Sequence, residues 1–183
     1  MAKKKYNGSH TVLTFAYLMQ GARIQLERAV DEIDGSAHTS MASLILSAFS
    51  LEAALNHIGE ELFDFWENVE KNLSPRSKLS FICHELKIKP DFSKEPYQSF
   101  SKVMSFRNTL AHGRTETING GWSVEGDEKP ISPLKTKWQE LCTPVEAKKV
   151  QENIEKIVTE IYRGAGLGDH PFAITGHGFS IGG

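Results

Sequence analysis

Cysteine is scarce in this chain: among 183 residues only Cys83 and Cys142 are cysteine. Two isolated thiols cannot make a disulfide framework or a zinc site, so a cytoplasmic setting with reduced thiols is the expectation. Excess positive charge is also missing. A formal net charge of −2 excludes a protein that coats nucleic acid nonspecifically, and any phosphate binding must come from a local patch. Lys3, Lys4 and Lys5 form a short basic start, but the apolar core of a signal peptide does not follow them. The uncharged run from Gly35 to Leu51 is about as long as the lower limit for a membrane span. It is rich in Ser and Thr and contains His38, which makes it a buried helix with no membrane partner. There is no internal repeat. Gly164-x-Gly166 precedes no strand or helix and fails as a dinucleotide fingerprint. No carboxylate–histidine metal set and no partnered Ser or Cys nucleophile is visible, so no metal and no cofactor are expected.

What is present reads as a single all-α domain. Hydrophobic content of 39% and charged content of 24% fit a globular protein with one core. Val12, Phe15, Met19, Ala22, Leu26, Val30 and Ile33 recur at helical spacing, and Asp34-Gly35-Ser36 stops that helix. A second, central helix is predicted from about Thr39 to Phe63. Ser74-Pro75 is a helix start that leads through "RSKLSFICHEL" toward Pro90. Another helix begins near Pro96 and ends at Gly113, read as a left-handed terminator. Thr143, Pro144 and Glu146 signal the last helix by a capping box, and it reaches about Arg163. The expected fold is therefore a bundle of about five helices over 11–163. An insertion at 115–137 is expected to be irregular or, with Trp122 to Glu125 as the candidate strand, short β. A basic tail (1–10) precedes the bundle, and a loosely held Gly-rich tail (164–183) follows it.

On a helical wheel Phe100, Val103, Met104, Leu110 and Ala111 share one arc, and Arg107 falls in its middle. Asn108 and His112 lie together on the flank. An arginine inside an apolar stripe is costly unless it is paired. The second helix carries the complementary anomaly: Glu52 lies in the sector of Ile45, Ala48, Phe49 and Leu55, with Asn56 one turn further. Glu52 and Arg107 are therefore expected to meet between two packed helices. One alternative is an ion pair that only sets helix register. For His112 the alternative is a charge stabilised at a helix C-terminus, with Arg114 on the same carbonyls.

The segment Arg107-Asn108-Thr109-Leu110-Ala111-His112 resembles the motif of the HEPN superfamily (higher eukaryotes and prokaryotes nucleotide-binding). That motif is Arg, a short spacer and His, often with a polar residue directly after the Arg. "FSLEAALNHI" is similar to the acidic-residue helix of many members, with Glu52 as the acid. The resemblance implies metal-independent RNA cleavage, as in toxins and phage-defence proteins, with dimerisation across the motif. Other members are inactive modules that bind or scaffold.

The chemistry can also be argued from the residues. RNA is cut without metal when its 2′-hydroxyl attacks the adjacent phosphorus. The step requires a base, an acid and positive donors for the phosphoryl oxygens. Histidine can be acid or base near neutral pH, and arginine offers a permanent charge in a planar fork. The catalytic candidates are therefore Arg107, His112, Asn108 and Glu52, with Asn108 orienting His112 or a phosphate oxygen. One chain carries one motif histidine, and a two-fold homodimer would bring two into one cleft. The expected partners are RNA or a nucleotide, a second copy of this chain and, for a toxin, a cognate antitoxin protein. Lys71, Arg76, Lys78, Lys87 and Lys89 either flank the cleft or, for most of them, face solvent. His57 and His84 are read as packed or surface residues, and Trp66, Trp122 and Trp138 as core or insertion anchors.

Overall fold

The computed structural model describes residues 7–120, 134–173 and 177–180. Among these residues the fold is an all-helical bundle: α1 (Thr14–Asp31), α2 (Ser36–Leu62), α3 (Trp66–Val69), α4 (Pro75–Glu85), α5 (Tyr97–Ala111), α6 (Lys137–Leu141) and α7 (Pro144–Gly164). Outside the bundle the backbone of β1 (Asn7–His10) pairs antiparallel with β2 (His177–Ser180). The candidate strand at Trp122 to Glu125 lies outside the described residues.

α2 is the hub, packing on α1, α7, α4, α5 and α3. Its Ser-rich run is explained by its closest neighbour. Ser40, Ser43, Ser47 and Ser50 are fully buried on one arc of α2. Ser43 Oγ donates to the Ala22 carbonyl at 2.9 Å and Ser50 Oγ to the Phe15 carbonyl at 2.7 Å. These two bonds fix an antiparallel register against α1, whose buried face includes Ala16, Ala22 and Ala29. Small side chains on both helices let the backbones approach; two of the four hydroxyls find carbonyls there, while Ser40 Oγ and Ser47 Oγ are buried without a hydrogen-bond partner among the described residues. α2 is the one helix among the described residues long and apolar enough to cross a membrane, and half of its most apolar stretch is buried in the bundle.

Three expectations about α1 need correction, because Val12, Val30 and Ile33 are exposed. The helix ends at Asp31, and after Leu26 the inward position goes to Ala29, whose methyl permits close approach to α2. At the end of α2, Trp66 lies against Gly59: a Cβ there would sit 2.0 Å from the indole.

The capping signals fared unevenly. Ser74 accepts from the Ser77 N–H, with Pro75 at the first helical position of α4. Thr143 accepts from the Glu146 N–H, but the reciprocal half of the expected capping box is absent. The Glu146 carboxylate instead accepts from Lys102 of α5 at 2.9 Å, since a charged partner across the helix interface outcompetes a backbone amide. A complete capping box forms where none was expected, between Thr136 and Gln139 at the start of α6. Gly113 does not take the left-handed conformation; α5 closes through the His112 N–H donating to the Asn108 carbonyl at 3.1 Å. The left-handed terminator belongs to α4, where Lys87 has φ of 58°. There the Ile88 N–H reaches back to the Cys83 carbonyl at 2.8 Å. The tail is not loose as far as Ala173: Pro171 is buried, and Phe172 packs edge-on to Phe15, ring centroids 6.0 Å apart.

Candidate functional site

α5 and α2 bring Arg107 and Glu52 together, and the guanidinium Nη2 donates to Glu52 Oε2. The local cause is the burial pattern of α5. Its inward face holds Tyr97, Phe100, Val103, Met104 and Phe106, which seat the helix on the core with Arg107 at the margin. Phe106 joins that face where Ala111 was expected; Ala111 is exposed and Leu110 half-buried. Arg107 and Glu52 are consequently not at the centre of an apolar interface. Their side chains keep 23% and 27% of their exposure, so both are partly hydrated and within reach of a ligand.

The fork of Arg107 is held from two sides. Nη1 donates to Asn108 Oδ1 at 3.0 Å while Nη2 holds Glu52, and Nε is buried without a partner. Of five guanidinium N–H groups two are engaged in this way, and others stay free for an anion. Asn108 therefore orients Arg107 through Oδ1; of its two expected roles, orienting His112 or a phosphate oxygen, the first finds no hydrogen bond among the described residues. His112, the C-cap of α5, is exposed. Phe49, placed by sequence in an apolar sector, is 43% exposed, and its ring centroid lies 6.0 Å from the guanidinium carbon.

A second cation completes the arrangement. Lys78 of α4 donates from Nζ to Asn56 Oδ1 at 2.6 Å and stands 3.9 Å from Glu52 Oε1. Its side chain is 5% exposed, so of the two expected placements, flanking the cleft or facing solvent, this lysine does not take the second. Its position was legible in principle, because Lys78, Leu79, Ile82 and Cys83 share one stripe of α4 and all four are buried. A positive charge in an inward stripe is the same anomaly that pointed to Arg107. Arg76, by contrast, lies over the Phe92 ring at 3.9 Å, and Lys71, Lys87 and Lys89 are exposed.

In comparisons with protein-family models, curated proteins and solved structures, no significant match to this chain was found. The motif carries the resemblance alone. HEPN membership is thus a reading of Arg107, Asn108, His112 and Glu52.

The remaining candidates fall elsewhere. His57 stacks between Phe15 and Tyr162, with centroids 5.4 and 6.2 Å away, and His84 is exposed on α4. Trp66 is a core residue and Trp138 is half-buried, while Trp122 lies outside the described residues. Burial, followed by the negative charge of Glu160, pushes the Cys83 thiol up to about 11, which leaves it a poor nucleophile at neutral pH. Burial likewise raises Cys142. Among the described residues no three His, Cys, Asp or Glu side chains gather as metal ligands would. On the far flank of α5 a groove of about 580 Å³ runs past Thr109, Lys102, Lys135, Lys137 and Trp138. Its lining sets Lys135, Lys137 and Trp138 beside Glu116 and a Lys102 already paired with Glu146, and Thr109 stands one residue from Asn108.

Proposed function

We propose that this chain is a metal-independent endoribonuclease of HEPN type, acting as a homodimer. The observation that carries the reading is the clamped guanidinium of Arg107, held by Glu52 and Asn108 with N–H groups to spare, one turn before an exposed histidine. In the proposed reaction the 2′-oxygen of the RNA forms a bond to phosphorus and the bond from phosphorus to the 5′-oxygen breaks. The products are a 2′,3′-cyclic phosphate and a 5′-hydroxyl. Arg107 donates to the phosphoryl oxygens as charge builds on them. One His112 accepts the 2′-hydroxyl proton, and His112 of the second copy protonates the leaving oxygen. The groove past Thr109 offers lysines and Trp138 to the strand beyond the cut. A role as a toxin or in phage defence, with an antitoxin partner, belongs to the same proposal and rests on the resemblance.

The test is incubation of the purified full chain with single-stranded RNA in the presence of a chelator. Cutting with cyclic phosphate ends is expected, and His112→Ala should abolish it with the helical content intact. A second reading, a non-catalytic HEPN-like module binding RNA, a nucleotide or a protein, draws on one observation. Asn108 Oδ1 accepts from Arg107, and among the described residues no side chain holds His112 by a hydrogen bond. Tight RNA binding without turnover by the wild-type chain would establish that reading.

A further inference from the structure

Glu52 has two oxygens and two cations. Arg107 takes Oε2, and Lys78 stands 3.9 Å from Oε1 while donating to Asn56. Among the described residues neither cation has another carboxylate within 4.0 Å, so this cluster of three charges carries an excess of one positive charge. Lys78 is the most buried of the three. A buried ammonium held by only one neutral acceptor and a long ion pair is poorly compensated for a structural element. Stability alone would be served as well by an apolar side chain of the same length.

We infer that Lys78 is a positioning residue that shares the charge of Glu52, so that Arg107 is oriented by the carboxylate without being neutralised by it, and the site keeps its excess positive charge for one phosphodiester group. The inference rests on the ribonuclease reading for its ligand. With Lys78 absent, Glu52 and Arg107 form a one-to-one pair, the excess charge vanishes, and an approaching phosphate meets a neutral cluster. With both Lys78 and Glu52 made uncharged, Arg107 alone restores the excess. Charge accounting therefore predicts a reversal that a purely structural role does not.

The probe is a fluorescein-labelled single-stranded oligonucleotide with 2′-O-methyl at every position, which cannot be cut because its attacking hydroxyl is blocked. Binding is measured over a range of salt for the wild-type chain, Lys78→Met and the double variant Glu52→Gln/Lys78→Met. Lys78→Met should bind about ten- to a hundredfold more weakly, as for one lost charge-assisted hydrogen bond. The salt dependence should fall by about 0.7 in slope, the release expected per phosphate contact on a single strand. The double variant should return to within about threefold of wild type, because charges in contact couple and removing both restores the net charge. Unchanged affinity in Lys78→Met, or a double variant no tighter than Lys78→Met, overturns the inference. If Lys78→Met does not fold, the double variant decides alone, and a loss of tenfold or more against wild type overturns it. Turnover of unmodified RNA by the wild-type chain is scored separately. Binding that follows this pattern without turnover keeps the inference and removes the catalytic reading. A wild-type chain that binds no oligonucleotide removes both.

Discussion

Glu52→Gln is the most direct perturbation of the cluster. The amide oxygen of glutamine can still accept from Arg107, so one hydrogen bond survives while the countercharge to two cations is lost. Breaking a fully buried pair costs about 3–5 kcal/mol, and breaking an exposed one about 0–1 kcal/mol. Glu52 and Arg107 keep 27% and 23% of their side-chain exposure, whereas Lys78 keeps 5%. The site therefore falls between the limits, and a loss of about 1.5–3 kcal/mol is expected. For a chain of this size that loss corresponds to a Tm lower by about 4–10 °C. Thermal unfolding followed by far-ultraviolet circular dichroism measures it, at low and at high salt. Added salt should narrow the gap to wild type, because two unbalanced cations are then screened from each other. A Tm within about 1 °C of wild type at both salt concentrations would refute the claim that this carboxylate holds the cluster together.

Three further outcomes follow from the packing and the ion pairs. Gly59→Ala gains up to about 1 kcal/mol of helix propensity, but its methyl falls 2.0 Å from the Trp66 indole. Overpacking should win by about 1–3 kcal/mol, visible as a lower Tm and a shift in Trp fluorescence. Lys87→Gly relieves a left-handed backbone at φ 58° and should stabilise by about 0.5–1 kcal/mol in urea titrations; a lower midpoint would contradict the assignment of that residue as the terminator of α4. Glu95 is pushed up by burial, but hydrogen bonds from Ser99 and the charge of Lys149 outweigh this and hold its carboxyl below its ordinary 4.5. A depressed carboxyl contributes stability that is present above 4.5 and is lost as the pH falls through its folded value. Glu95→Gln should therefore flatten the acid limb of the stability profile and leave its shape near neutral pH unchanged. An acid limb as steep as in wild type would refute that contribution.

The helical periodicity was readable because α5 and α7 each bury one continuous stripe and α2 a broad face, and charged residues at the edges of such faces are conspicuous. That is how Arg107 and Glu52 could be paired from sequence, although they are 55 residues apart. Lys78 obeys the same rule on α4, but it stands among other basic residues, where a solvated face is the ordinary explanation, so the sequence names it only as one of five cations that either flank the cleft or face solvent. Other misses have a different cause. Ala29 displaces Val30 because the seam with α2 selects for small size over hydrophobicity, a property of the partner helix that α1 does not encode locally. The Glu146 carboxylate left its expected cap for Lys102, which comes near only once α5 and α7 pack. Asn108 accepts from its own neighbour Arg107 on the same helix; what the packing of α5 on α2 adds is Glu52, which holds the guanidinium from the other side.

The serine and alanine seam between α1 and α2 has a mechanical consequence. Side chains of this size have almost no rotamers to exchange, and the hydroxyls of Ser43 and Ser50 pin the register at two points. Sliding one helix past the other would break both bonds and leave buried hydroxyls and carbonyls unpaired, which opposes such a shift. Glu52, Asn56 and Phe49 stand on α2, while Arg107 and Lys78 stand on α5 and α4, which rest against it. The carboxylate of the cluster is thus anchored to the register of α1 and α2, while its two cations reach it from other helices.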